Sequence, residues 1–385
     1  MPSGGALRRR ARIRIPHSAF RIPHTRRPHE PLRRPRRHVR RTGQRRGAAQ
    51  PLARPHHRSG RLAGGAPARR QGHLPGLGRD VLDRPAAAFA AGRRGRCRDR
   101  PVNAPDTPVL RVAVVAALPQ TAPPLVEALC ALGHRVPVVV GHRRPADWPG
   151  HVLGEHDLPP GVDLAVPSRT DTIAGLLGAY AVDVAVSYGY PRKLPAAAVA
   201  AARLGTVNCH PSDLPSYRGP NPVGWAVRNG ERAIGVTWHR MDAELDTGSV
   251  LARTTIALDD EAWSFTGVNA RVLEAASELL PLVLRRLVRG DEGEPQPARE
   301  GSWAGFFAED YAAVDWSGRA SDIHKQVRAW NIAGHHPRVQ GPVAVIDGTP
   351  WRLRRTTLHQ PPPGTGRRIA CGDGDLWVLA ADPLV

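Results

Sequence analysis

The order of apolar runs along this 385-residue chain predicts an α/β protein with a mostly parallel sheet over residues 108–290, followed by a small β-barrel domain over 304–385. Three observations lead there. Val-rich runs such as "VLRVAVVAAL" lack polar alternation, as expected of strands covered on both faces. They alternate with helix-patterned stretches, the signature of a parallel sheet with crossover helices. Beyond residue 304 the pattern changes to short strand-like runs between Gly and Pro turns.

In order, 109–118 reads as a buried strand, and "TAPPLVEALCALGH" as a helix with Leu125, Leu129 and Leu132 on one face. The strand "VPVVVGH", the strand "VDLAVP", a helix around "DTIAGLLGAY" and the strand "VDVAVSYGY" repeat the alternation. Then come "AAAVAAARLG", the strand "GTVNCHPS", a helix around "NPVGWAVRNG" and the strands "AIGVTWHRM" and "GSVLARTTIAL". A longer helix ends at Gly290, with Pro281 expected to kink or divide it. Residues 291–303 read as a linker from their Gly, Pro and acidic content. After it a helix starts near Ala320, and "GPVAVIDG", "TPWRLRRTTL" and "GDLWVLA" read as strands. The first strand-to-helix turn, "LPQTAPP", has no Gly-x-Gly-x-x-Gly, so a dinucleotide enzyme is not expected.

The net charge of +21 is concentrated at one end. Residues 1–107 hold 28 arginines, no lysine and five acids, whereas the remainder carries 27 bases against 29 acids. The Arg/Pro-rich extension has too little apolar surface to offset the entropy of ordering and reads as disordered. With Met1 and Met241 the only methionines, its composition also fits a start assigned too far upstream. A third reading is an arm that binds nucleic acid. It lacks the apolar run of a secretory signal and is too Pro-rich and Ser-poor for a transit peptide. The four cysteines have no metal-ligand spacing and no evident disulfide framework, and no run is long enough to span a membrane. A cytoplasmic location, with no membrane and no protein partner, is the resulting expectation.

The stretch "VNCHPSDLPSYRG" carries the chemistry. Residues two apart in a strand share a face, so Asn208 and His210 point together at the carboxyl end of a strand, where open α/β sheets bind ligands. Pro211 stops the strand there. Asp246, in "MDAELDTG" after the next strand, reaches the same edge if neighbouring strands run parallel. Asn, His and Asp suit acyl transfer: an amide N–H stabilises an oxyanion, an imidazole moves a proton near neutral pH, and a carboxylate orients it and favours its charged form. An amine acceptor needs no Ser or Cys nucleophile. The same residues also suit a turn-forming Asn, a core His and a turn-capping Asp.

"VNCHPSDLPSYRG", "WAVRNGERAIGVTWHRMDAELDTGSVL" and the 36-position gap from His210 to Asp246 closely resemble the 10-formyltetrahydrofolate-dependent formyltransferases, which include methionyl-tRNA formyltransferase and amino-sugar formyltransferases. The resemblance covers about residues 109–290, and "VDWSGRASDIHKQVRAWN" is similar to the start of that family's small β-barrel domain. It implies a Rossmann-like catalytic domain, Asn208, His210 and Asp246 as the catalytic triad, 10-formyltetrahydrofolate as donor, and no metal. It further implies that the loop 187–195, with Tyr188, Gly189, Leu194 and Pro195, supports the pterin, and that Asp242 and Leu245 lie in the loop closing over its other side. "LPSYRG" resembles the turn shaping the formyl and acceptor pocket, giving Ser212, Leu214, Arg218 and Gly219 as substrate-binding candidates.

Each neighbour also has a plainer reading. Ser212 suits a local turn bond, Arg218 a contact to carbonyls of its own loop, Cys209 the core and His239 packing beside the site. His335 and His336 lack further ligands for a metal. The place where the tRNA enzymes carry a basic insertion here has Arg143 and Arg144 followed by Asp147, Glu155 and Asp157, and residues 301–385 hold nine bases and eight acids. Gripping phosphates needs a basic excess. The acceptor is therefore either methionyl-tRNA or a small-molecule amine such as an amino sugar. A hydrolase on the same donor is an alternative, although residues 1–107 do not read as the folded domain that precedes such hydrolases.

Overall fold

The chain builds its first sheet from β1 (Arg111–Val115), β2 (Arg135–Val140), β3 (Asp163–Ala165), β4 (Val184–Tyr188), β5 (Thr206–His210), β6 (Ala233–Arg240) and β7 (Val250–Ala257). The intervening helices are α1 (Ala122–Ala131), α2 (Ile173–Ala179), α3 (Ala196–Val199) and α4 (Pro222–Asn229), and α5 (Phe265–Val288) follows the last strand. This computed structural model describes residues 107–143, 152–258, 264–297, 301–333 and 341–384. The arginine-rich extension up to residue 106, with Cys97, and Arg144, Asp147, His335 and His336 lie outside the described residues.

The spatial order is β3-β2-β1-β4-β5-β6-β7. The first five strands are parallel, and β6 and β7 are antiparallel. Both faces are covered, which explains the continuous apolar runs. Val112 and Val114 of β1 enter a core with α1 and α5, while Ala113 and Val115 enter a second core with α2 and α3. α4 starts on Pro222 and stops at Gly230, whose φ of 79° suits a left-handed cap. α5 starts on Ser264, which accepts from the Gly267 N–H at 3.0 Å. It then runs unbroken through Pro281, so the division anticipated there does not occur. Its face of Val272, Ala276, Leu280, Val283, Leu284 and Leu287 is buried against the sheet.

The carboxyl-terminal part has α6 (Ala320–Ile332) and the strands β8 (Val343–Ile346), β9 (Thr349–Thr357), β10 (Arg367–Cys371) and β11 (Gly374–Pro383). They form an antiparallel sheet in the order β10-β11-β9-β8, with Ile323, Val327, Leu353, Leu376 and Val378 in its core. The described residues of the segment 291–303 are tied to the catalytic domain. Glu294 and Val250 exchange backbone hydrogen bonds of 2.8 Å, and Arg218 and Ser302–Ala304 pair as parallel chains. Cys209 and Cys371 are free thiols. Among the described residues, no helix is long and apolar enough to cross a membrane.

Candidate active site

Alternation along β5 sends Val207 and Cys209 into the α1/α5 core and turns Asn208 and His210 to the other face. The antiparallel β6 places His239 opposite Asn208 and Thr237 opposite His210, and opposed residues share a face. Asp246 arrives by a different route from the one expected. β6 is antiparallel to β5, so the β6–β7 hairpin begins beside the start of β5, where the Met241 N–H donates to the Thr206 carbonyl at 2.8 Å. The hairpin loop then returns over the polar face. Asp246 Oδ2 lies 3.7 Å from His210 Nδ1, and Oδ1 lies 3.5 Å from His239 Nε2. Asn208 Nδ2 is 3.2 Å from that same His239 nitrogen.

Hydrogen-bond partners assign the tautomers. His210 Nε2 sits 2.8 Å from the Tyr217 carbonyl, which only accepts, so Nε2 carries hydrogen and Nδ1 faces Asp246. His239 Nδ1 likewise donates to the Arg240 carbonyl at 2.7 Å, leaving Nε2 to accept from Asn208. A proton taken up at His210 Nδ1 would meet the Asp246 carboxylate.

Burial lowers the His210 pKa, and the upward pull of Asp246 and the Tyr217 carbonyl does not offset it. The expectation that Asp246 raises this pKa is therefore met only as a contribution, with desolvation dominant. Burial would raise the Asp246 pKa, but His239, His210 and the Gly219 N–H outweigh it and hold it at about 2. Burial also pushes the Cys209 thiol up, which keeps it a core group rather than a thiolate nucleophile.

A pH dependence of stability follows. A histidine held below its ordinary value of 6.5 binds fewer protons folded than unfolded. Its contribution is complete above that pH and is lost as the pH falls toward the folded value. Asp246, held at about 2, keeps its contribution until far lower pH. The melting temperature is expected to fall as the pH drops from about 7 to about 5, with His210→Gln flattening this part of the curve. An unchanged slope in His210→Gln would locate the pH sensitivity elsewhere.

The site rests on unusual backbone. Tyr217 and Asp246 adopt φ of 57° and 58°, a left-handed conformation costly for side chains other than Asn, Asp or Gly. Gly219, at φ 108°, donates its N–H to Asp246 Oδ2 at 2.8 Å, and a Cβ there would lie 3.1 Å from the Trp303 ring and the Ala304 carbonyl. Gly248 allows the hairpin to close, since a Cβ there would overlap the Arg240 carbonyl at 1.9 Å.

The remaining candidates divide. Gly189, at φ 65°, and Pro195 lie on the loop after β4, while Leu194 is buried in the α2/α3 core. The Tyr188 side chain does not face the site. It shares the orientation of Cys209 and hydrogen-bonds Asn269 of α5, so only its backbone is available to a ligand. Asp242 staples its own loop by accepting from the Thr247 hydroxyl at 2.7 Å, and exposed Leu245 lies beside Asp246. Ser212 is a turn residue: it is fully buried and donates to the Ser216 carbonyl at 2.7 Å. Leu214 is likewise buried. Arg218 holds Gln296 Oε1 at 2.7 and 3.1 Å. His239, expected to pack, joins the polar cluster; its alternation with Trp238 on the strand after the motif was the available signal.

A shallow polar cavity of about 280 Å³ lies at Ser168–Asp171, Arg192 and Pro195, and none of Asn208, His210 or Asp246 lines it. Among the described residues, no group of three or more His, Cys, Asp or Glu side chains could hold a metal.

An amide, two imidazoles and a carboxylate on one face of an α/β sheet, beside a buried thiol, suit group transfer in which the acceptor itself attacks. Residues 141–284 match the family model described as formyl transferase. A methionyl-tRNA formyltransferase of Synechococcus sp. (strain JA-3-3Ab) is 34% identical over 236 residues, covering 55% of this chain and 69% of that protein. One from Trichlorobacter lovleyi is 32% identical, covering 54% and 67% respectively. In fold, the chain is similar to HypX from Aquifex aeolicus solved with tetrahydrofolic acid, with a TM-score of 0.54 at 20% identity over 72% of this chain and 45% of that one. It is also similar to an N-formyltransferase from Helicobacter canadensis in complex with folinic acid and dTDP-3-aminofucose, with a TM-score of 0.50 at 16% identity, covering 70% and 99%. The chain belongs to the formyltransferase family and is an enzyme that transfers formyl groups.

Proposed function

We propose that this formyltransferase moves the formyl group of 10-formyltetrahydrofolate to the primary amine of a small molecule, using Asn208, His210 and Asp246. The observation that carries this reading is the convergence of those three side chains, with His239, on the face of β5 and β6. The flanking loops suit the donor. Gln120 Oε1, on the loop after β1, is a buried acceptor without a hydrogen-bond partner among the described residues, and a heterocycle bearing N–H groups would answer it. Leu245 is 39% exposed beside Asp246 and offers an apolar cover.

Asn208 Nδ2 stabilises negative charge on the formyl oxygen while the acceptor nitrogen bonds to the formyl carbon. His210 Nδ1 takes up a proton from the attacking amine, and the Asp246 carboxylate beside it stabilises that proton until it passes to N10. When the carbon–N10 bond breaks, the electron pair stays on N10, which takes up one proton. The products are the N-formyl amine and tetrahydrofolate, with no net change in protons.

Charge favours a small acceptor, because residues 108–385 carry 27 bases against 29 acids and a tRNA backbone needs a basic excess. Methionyl-tRNA is the second reading, favoured by the names of the relatives from Synechococcus and Trichlorobacter lovleyi. Measuring kcat/KM with the full chain on methionyl-tRNA and on a panel of nucleotide-linked amino sugars and free diamines, at low and high salt, separates the two. The small-molecule reading expects higher kcat/KM on a panel member, with weak salt dependence. Efficient, steeply salt-sensitive turnover of methionyl-tRNA alone would transfer the assignment to tRNA.

A further inference from the structure

We infer that Gln296 is a positioning residue of the active site: anchored by Arg218, it holds the backbone of Asp246 in the conformation that delivers the carboxylate to His210 and His239. The inference rests on the catalytic reading of Asp246 and extends it to a residue 50 positions away. Gln296 Nε2 donates to the Asp246 carbonyl at 3.0 Å and to the Gly248 carbonyl at 2.8 Å. Its Oε1 accepts both Arg218 Nη2 and Nε, at 2.7 and 3.1 Å. One amide thus satisfies two carbonyls of the hairpin loop and fixes a guanidinium from the turn after β5.

The geometry gives this contact a purpose. Asp246 is left-handed at φ 58°, a conformation that Asp can visit but that is less populated than the ordinary regions, so contacts must select it. Gly248 is packed against the Arg240 carbonyl and cannot shift inward, so the two Gln296 N–H groups close the loop from the outside. Releasing them frees the Asp246 peptide to relax toward ordinary φ and carries the carboxylate away from its partners, which lie only 3.5–3.7 Å away. The interdomain segment supports the histidine similarly. Ser302 Oγ accepts from the N–H of Tyr217, itself left-handed, and the Tyr217 carbonyl receives His210 Nε2–H. Arg218 therefore acts through Gln296, and the segment between the two folded parts contributes to the geometry of the site.

The test compares Gln296→Ala and Gln296→Glu with wild type in kcat, donor KM, pH–rate profile and melting temperature, using the full chain with 10-formyltetrahydrofolate and the best acceptor found. Gln296→Glu would keep the oxygen that Arg218 holds and turn that contact into an ion pair, but it removes both N–H donors. Both variants should lose kcat by about 10–100-fold, the scale of an approximately 1 Å misplacement, with donor KM within about threefold. Their acid limb should move to lower pH, because His210 loses the upward pull of Asp246. Gln296→Glu should melt near wild type. Wild-type kcat and an unshifted profile in both variants would overturn the inference. Asp246→Asn, run in parallel, separates the two claims. If it is inactive while the Gln296 variants behave as wild type, only the clamp fails; if it too is fully active, the catalytic reading beneath it fails.

Discussion

Asp246→Asn is expected to lose at least about 10²-fold in kcat/KM, on the scale of general acid–base catalysis, while folding normally. Asn keeps the size of the side chain and an oxygen that can accept the Gly219 N–H, which in the native protein is 2.8 Å from Oδ2. It also tolerates the left-handed backbone as well as Asp does, so the φ of 58° adds no new strain. What disappears is the charge. In the native site that charge is present throughout the working range, because the carboxyl is held at about 2. It is also the largest influence raising the His210 pKa against burial. The acid limb of the pH–rate profile should therefore move down in the variant. A turn-capping Asp makes the opposite prediction: a superimposable profile at near-native rate, since Asn caps turns well.

Asn208→Ala is expected to reduce kcat by about 10²–10³-fold with little change in donor affinity, the cost of removing one preorganised oxyanion donor. Asn208 Nδ2 is aligned on His239 Nε2 at 3.2 Å, and the second amide hydrogen remains available to the formyl oxygen. The side chain is half-buried in the middle of β5, on its polar face, so truncation should leave the sheet intact. His210→Ala should lose as much or more. Single-turnover measurements of chemistry and of donor binding check both variants. Native kcat in either would remove that residue from the site.

Much of the architecture was legible because physical constraints act locally. Strands covered on both faces read as largely apolar runs, and β1, β2 and β4 do, apart from Arg111, Arg135 and Ser187. The pairing of Asn208 with His210 followed from the two-residue period of a strand. What escaped was set by tertiary pairing. The antiparallel direction of β6 decides how the Asp246 loop reaches the site, and nothing in "AIGVTWHRM" encodes a direction. Tyr188, at the strand end, could have faced either way until register with Cys209 turned it toward α5. β10 was missed because its "RRIAC" run is half-exposed and basic, unlike a core strand. Gln296 carried no signal, since an amide in a Pro- and Gly-rich segment reads as linker chemistry until Asp246 and Arg218 are seen beside it.

The central claim is that this site passes a formyl group from 10-formyltetrahydrofolate directly to an amine. Following a ¹³C-formyl donor in a single turnover, with wild type and Asp246→Asn side by side, tests it most directly. In wild type the label is expected in the N-formyl amide of the acceptor, with one tetrahydrofolate released per formyl group, and Asp246→Asn is expected to slow both together. Label recovered as formate at the same rate with and without amine, or no tetrahydrofolate released with any acceptor, would contradict it.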